Sequence, residues 1–178
     1  GCSPQTPLAL ETVRRAQDEG ETTAWIQPAK GPLFPPDAED RGIDLQALLV
    51  VQVPLHELPY GPCHAAETLL RSGGFGLLVL DLRAHAPPLH DLAWQSRLCG
   101  LARKHHARLA VLTARTPQEP SLGPLVSLHL HLERRRLPPE VSRPADSGVP
   151  RRVAGPGRFE VRLDVLKNKS GGAVHPPP

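Results

Sequence analysis

Apolar residues recur along this chain in two rhythms, and the change from one to the other divides it into elements. After Thr6, the apolar positions Leu8, Leu10, Val13 and Ala16 mix with Glu11, Arg14, Arg15 and Asp18. That spacing predicts an amphipathic helix of about four turns, with Gly20 as its stop. Thr22–Ile26 then reads as a short strand closed by Gln27-Pro28. A proline-rich loop, Lys30 to Asp37, leads through a short acidic turn to Gly42 and a second buried strand, Leu48-Leu49-Val50-Val51. A connection broken by Pro54, Pro59 and Pro62 opens a helix from Cys63 to Arg71, which stops at Ser72-Gly73-Gly74. Leu77-Leu78-Val79-Leu80 is a continuous apolar run that ends in the carboxylate of Asp81. Asp91–His105 forms the next helix, with Leu92, Ala93, Leu98 and Leu101 facing inward, and Leu109–Thr113 a further strand. Unbroken apolar strands alternating with helices predict an α/β fold with a mainly parallel sheet covered on both faces, whose ligands bind at the carboxyl ends of the strands.

From Leu125 the rhythm shortens to strict alternation, Leu-Val-Ser-Leu-His-Leu-His-Leu, the pattern of a strand with one polar face. His129 and His131 share that face, but no Asp, Glu or Cys accompanies them, so an exposed strand face explains them better than a metal site. Residues 137–157 are rich in Pro, Arg, Gly and Ser and read as a mobile loop. Phe159–Leu166 resumes the alternation and is expected to pair with Leu125–Leu132 as an antiparallel extension. Lys167-Asn168-Lys169 closes it, and 170–178 reads as a disordered tail. The chain contains no internal repeat.

Composition narrows the classes. A chain of 178 residues suits one domain with a respectable core. No apolar run approaches the about 18 residues that span a bilayer, and the first segment lacks the apolar centre of a signal peptide. Cys2, Cys63 and Cys99 are odd in number and show no C-x-x-C spacing, which argues against a disulfide framework or a zinc site and fits a reducing cytoplasm. The net charge of +3 permits nucleic-acid contact without demanding it. Arg134-Arg135-Arg136, followed at wider spacing by Arg143, Arg151, Arg152 and Arg158, is the candidate phosphate-binding segment and equally a solvated edge. Aromatic residues make up only 3%, a poor supply of rings for stacking single-stranded bases. With no Met at position 1 or elsewhere, a segment is expected before Gly1.

The candidate chemistry lies at the start. Gly1-Cys2-Ser3-Pro4-Gln5-Thr6 occupies the place of a phosphate-binding loop, directly before a helix and then a strand. In such a loop a Gly curls the backbone around phosphate oxygens, a Lys neutralises them and a Ser/Thr hydroxyl ligates magnesium. Here those positions read Pro4, Gln5 and Thr6, so only the hydroxyl survives. Read without context, the same stretch is an ordinary helix start with Thr6 as N-cap.

The segments Ala16–Ile26, Arg41-Gly42-Ile43-Asp44-Leu45 with Leu48-Leu49-Val50, Leu70-Arg71-Ser72-Gly73 before the Asp81 strand, and Lys167-Asn168-Lys169 resemble the core of RecA recombinases, in the right order across most of Thr6–Lys169. The resemblance implies a RecA-like core over 1–169 that lacks its N-terminal strand. Carried across, the phosphate-binding Lys falls at Gln5 and the Gly before it at Pro4. The glutamate that activates water falls at Ala29, and the nucleotide-sensing Gln near Ala114 or Arg115. Asp81 and Thr6 are retained, while the two DNA-binding loops, Leu82–Leu89 and Arg115–Gly123, look short. Losing the Lys removes a contact worth about 1.5–3 kcal/mol, and Pro4 removes a backbone donor. What remains implies no ATP hydrolysis and no cofactor. Trp25-Ile26, Phe34-Pro35-Pro36 and Gly42–Leu45 are similar to the ImuA branch of damage-inducible mutagenesis proteins. That likeness implies a non-catalytic role in translesion synthesis, with RecA, a Y-family-like protein and an error-prone polymerase as partners. Lys167 and Lys169 match a pair that reaches a neighbouring protomer's nucleotide in the family, which makes them the expected partner-binding residues. The alternatives are a DNA-binding module built on Arg134–Arg158 and a residual nucleotide-binding protein.

Overall fold

The computed structural model describes residues 4–88, 90–120, 122–136 and 159–169. Cys2, the expected mobile loop 137–157 with Arg143, Arg151 and Arg152, Arg158, and the expected tail 170–178 lie outside the described residues. The chain divides into two compact units, Gly1–Ser127 and Leu128–Pro178, within the span read from sequence as one core.

The first unit contains helix α1 (Gln5–Asp18), strand β1 (Thr23–Pro28), a short helix α2 (Pro35–Glu39) and strand β2 (Leu48–Val53). There follow helix α3 (Gly61–Ser72), strand β3 (Leu77–Asp81), helix α4 (Ala93–Lys104) and strand β4 (Arg108–Leu112). The four strands form one parallel sheet in the order β2-β1-β3-β4, with Trp25 opposite both Val50 and Val79. Side chains alternate across a sheet, and both faces here are apolar. Ala24, Ile26, Leu78 and Leu80 point to one side, where Cys63, Ala66 and Leu70 of α3 and Trp94 and Leu98 of α4 meet them. Trp25, Leu77 and Val79 point to the other side, against Ala9, Leu10, Val13 and Ala16 of α1 and Ala38 of α2. The result is the expected helix–sheet–helix sandwich.

Three readings from the sequence change. The strand Leu48–Val51 was expected to be buried, yet Leu49 and Val50 are 43% and 38% exposed, because β2 is the edge strand and only one neighbour covers it. Leu92 and Ala93 were expected to face inward but are exposed. The helix begins only at Ala93, so Trp94, Gln95, Leu98 and Ala102 carry its buried stripe. The acidic turn before Gly42 is the five-residue helix α2, begun by Pro35 and Pro36 in the first turn, where proline has no N–H to waste. The expected stop at Gly73 holds: it adopts φ +68°, and a Cβ there would come within 2.8 Å of His105 Nδ1.

The second unit is a two-stranded antiparallel ribbon, β5 (Leu128–Arg136) with β6 (Phe159–Asn168); the pairing is the expected one, but β5 starts at Leu128 rather than Leu125 and runs past Leu132 through the arginine cluster. Its register steps from His129↔Lys167 to Leu130↔Val165, leaving Leu166 as an extra residue on β6.

Candidate functional site

The chain passes from β1 outward to β2, then back across to β3 and on to β4, so the direction of winding reverses between β1 and β3. The carboxyl ends of those two strands flank the crevice where open α/β sheets take their ligands. Pro4, Gln5, Thr6, Ala29 and Asp81, the residues singled out from sequence, all belong to this end of the first unit.

Asp81 is the last residue of β3 and is 2% exposed, so its carboxylate requires compensation. The compensation comes from Arg83, two residues on. Its Nε donates to Asp81 Oδ1 at 2.9 Å and its Nη2 to Oδ2 at 2.6 Å, a two-pronged pair, while its backbone N–H donates to Oδ1 at 3.1 Å. The third prong, Nη1, donates to the Thr6 hydroxyl at 2.8 Å. Thr6 is the second residue of α1 and is buried; Pro4 holds the N-cap position and no side chain caps the helix. Thr6 is therefore not the N-cap that its sequence context allows. A single guanidinium joins the start of α1 to the end of β3.

The flanking positions are equally engaged. Gln5 Nε2 donates to the carbonyl of Thr113, one residue beyond β4, at 2.8 Å. Ala29 follows β1, and its backbone N–H donates to the Val53 carbonyl at 2.7 Å; its side chain is a methyl group with no proton to give or take. Ala114 and Arg115, the expected place of a nucleotide sensor, follow Thr113 in the same connection.

The magnesium nucleotide that a RecA-type site would hold does not fit these residues. The Thr6 hydroxyl and the Asp81 carboxylate, which would hold the metal, are bridged by a positive side chain that is 13% exposed. A divalent cation there would meet Arg83 at contact distance, and Pro4 has no N–H with which to meet a phosphate. Among the described residues, no group of three or more His, Cys, Asp or Glu side chains could hold a metal elsewhere.

Sequence reasoning passed over Arg83. Its signal was the Asp-x-Arg spacing, which lets a side chain just past a strand end fold back on the carboxylate two positions before it. Nothing local announces Thr6, which is 77 positions away.

In the second unit, Lys167 lies opposite His129 and Lys169 follows the end of β6. The extra residue Leu166 turns the strand by one position, so Lys167 shares the face of His129 and His131 rather than the apolar face of Leu130 and Val165. Burial, with His131 and Lys167 nearby, lowers the pKa of His129. The arginine cluster is split by the same register. Arg135 stands opposite Glu160 and next to Glu133↔Arg162 on one face, whereas Arg134 and Arg136 stand opposite Val161 and Phe159 on the other. All three arginines are exposed, but they do not form one contiguous positive face. Among the described residues, no helix is long and apolar enough to cross a membrane.

No protein-family model matches the chain. Its sequence is 37% identical to protein RecA of Agrobacterium fabrum over 90 residues, covering 51% of this chain and 24% of that protein. It is 37% identical to protein RecA of Fusobacterium nucleatum over 90 residues, covering 51% of this chain and 23% of the relative. Against protein RecA of Rickettsia massiliae it is 30% identical over 115 residues, 63% of this chain and 32% of the relative. The matched stretch thus spans about a quarter to a third of the length of these curated relatives. Together with the parallel sheet flanked by helices and the separate antiparallel ribbon, the partial-length similarity supports a RecA-like core.

Proposed function

We propose that this chain is a non-catalytic RecA-like accessory protein of DNA damage tolerance that binds RecA and modulates or dismantles its filament. The observation that carries the reading is the commitment of Thr6 and Asp81, the two retained residues of a RecA-type nucleotide site, to a side chain of the protein itself. With Gln5 donating to a backbone carbonyl and Ala29 where a base would stand, these positions supply no carboxylate to activate a water. A body of this shape has its surfaces left to act with. Lys167 and Lys169, at the end of β6, would engage the nucleotide held by a RecA protomer, while the chain presents no competent nucleotide face in return. Such a subunit ends a filament.

The finer reading places it in the ImuA branch, working in translesion synthesis beside a Y-family-like protein and an error-prone polymerase. The Trp25-Ile26, Phe34-Pro35-Pro36 and Gly42–Leu45 segments support it.

The test is to add the protein to RecA assembled on single-stranded DNA with ATP and to follow filament length by electron microscopy. Shortening that depends on protein concentration is expected, with Lys167→Ala/Lys169→Ala weaker by about tenfold or more, the loss of one to two charge-assisted contacts. Filaments of unchanged length in the presence of excess protein would sink the mechanism.

A further inference from the structure

The misfit between the crevice and a metal nucleotide has a specific author, Arg83. We propose that the Arg83 guanidinium is a resident cation: it supplies to Thr6 and Asp81 the positive charge that a divalent metal would supply, and so latches the crevice shut. The inference deepens the reading above and rests on it, since it names the group that stands where a nucleotide's metal would.

The argument is one of charge and geometry. A carboxylate at 2% exposure is stable only with a counter-ion and satisfied lone pairs. In this site Asp81 Oδ1 accepts from the backbone N–H and Nε of Arg83, and Oδ2 accepts from Nη2. The hydroxyl of Thr6 accepts from Nη1 of the same group. A metal ion would gather the same two oxygen donors around one positive centre. A guanidinium does so with fixed, planar N–H directions, and, being covalently attached, it has no dissociation constant to satisfy. It also ties two segments that are far apart in sequence, the first turn of α1 and the end of β3, without any co-reactant. Nothing else at the Asp81 carboxylate carries positive charge among its hydrogen-bond partners in the described residues.

The experiment compares the wild-type protein with Arg83→Ala, Arg83→Lys and Arg83→Met, together with the double variant Asp81→Asn/Arg83→Ala. Manganese binding is read from the loss of the free-ion paramagnetic resonance signal, and stability from thermal midpoints with millimolar manganese or guanidinium added. The wild type should leave manganese free. Arg83→Ala should melt about 6–20 °C lower, recover part of that loss with either cation, and take up manganese; the double variant should neither gain stability from the cations nor take up manganese. An Arg83→Ala protein that folds and ignores both cations overturns the proposal, and so does a wild-type protein that binds manganese through Asp81. Should Arg83→Ala fail to fold, Lys and Met decide. A folded Lys variant beside an unfolded Met variant supports the resident charge, whereas a Met variant as stable as wild type, or a Lys variant as unstable as Met, refutes it. RecA is absent from all of these measurements, so their failure is distinct from failure of the filament assay.

Discussion

Cys63 and Arg83 illustrate opposite ways of placing a reactive side chain in the same sandwich. Cys63 is 2% exposed on the inward face of α3, and burial pushes its thiol up to about 12, with Arg97 opposing the rise and Asp91 adding to it. The thiolate, which is the nucleophile, is then almost absent near neutral pH. Cys99 is also raised by burial but is only partly covered. Alkylation at pH 8 followed by mass spectrometry should therefore modify Cys99 before Cys63, and Cys63 should react only once urea unfolds the domain. Equal labelling of both in the native protein would contradict the packing described for α3. Arg83, by contrast, is held at 13% exposure by polar contacts, with three of its side-chain N–H groups meeting oxygen at 2.6–2.9 Å. Asp81 was legible in the sequence as the carboxylate ending an apolar run, and Thr6 as a hydroxyl before a helix. Their joint partner was not, since a link of this kind depends on how a loop bends and on a contact 77 positions away.

Elements show the same division. The apolar stripe of α1 was readable from its spacing, and its outward face carries a small charge network: Glu11 with Arg14 at 2.8 Å and Arg15 at 2.9 Å, and Arg14 with Asp18 at 2.6 Å. Hydrogen bonds from Arg14 and then Arg15 hold the Glu11 carboxyl down to about 2, against an ordinary 4.5. A folded-state pKa below the unfolded one contributes stability that is whole above the unfolded value and is lost as pH falls through it toward the folded one. Between pH 4.5 and 2, urea midpoints should thus decline less for Glu11→Gln than for wild type. The difference should be about 0.3–1 kcal/mol, small because these pairs are largely exposed to solvent screening. Identical slopes would mean that the network contributes nothing. The edges of elements were harder to read. Whether β2 lay inside the sheet or at its margin is a matter of strand order, which a run of Leu and Val does not encode. In the ribbon, alternation predicted the pairing of β5 with β6, but the extra residue Leu166, which moves Lys167 to the other face, shows in the sequence only as the adjacent apolar pair Val165-Leu166, and such a break at a strand end does not separate a bulge from the end of the strand.

At the scale of the first unit as a whole, a RecA-like sandwich carries at the carboxyl end of its sheet a crevice that the protein fills from within. Its sheet order brings the carboxyl ends of β1 and β3 to the place where ligands of such folds bind, and Asp81, Arg83 and Thr6 meet there. The order of the segments resembling RecA made the fold readable, because the pattern of strands and helices is local. The closure of the crevice was readable only in part: the losses at Pro4, Gln5 and Ala29 were visible as residues, whereas the substitution of a guanidinium for a metal needed three dimensions. The filament proposal needs only that the crevice turn over no nucleotide, whatever excludes it, since a subunit that took up and hydrolysed nucleotide would extend a filament rather than end it. The wild-type crevice is expected to refuse a magnesium nucleotide, and isothermal titration with magnesium-ATP decides it. The wild type should give no heat of binding at micromolar nucleotide; a saturating micromolar isotherm for the wild type, abolished by Asp81→Asn, would overturn the closed crevice.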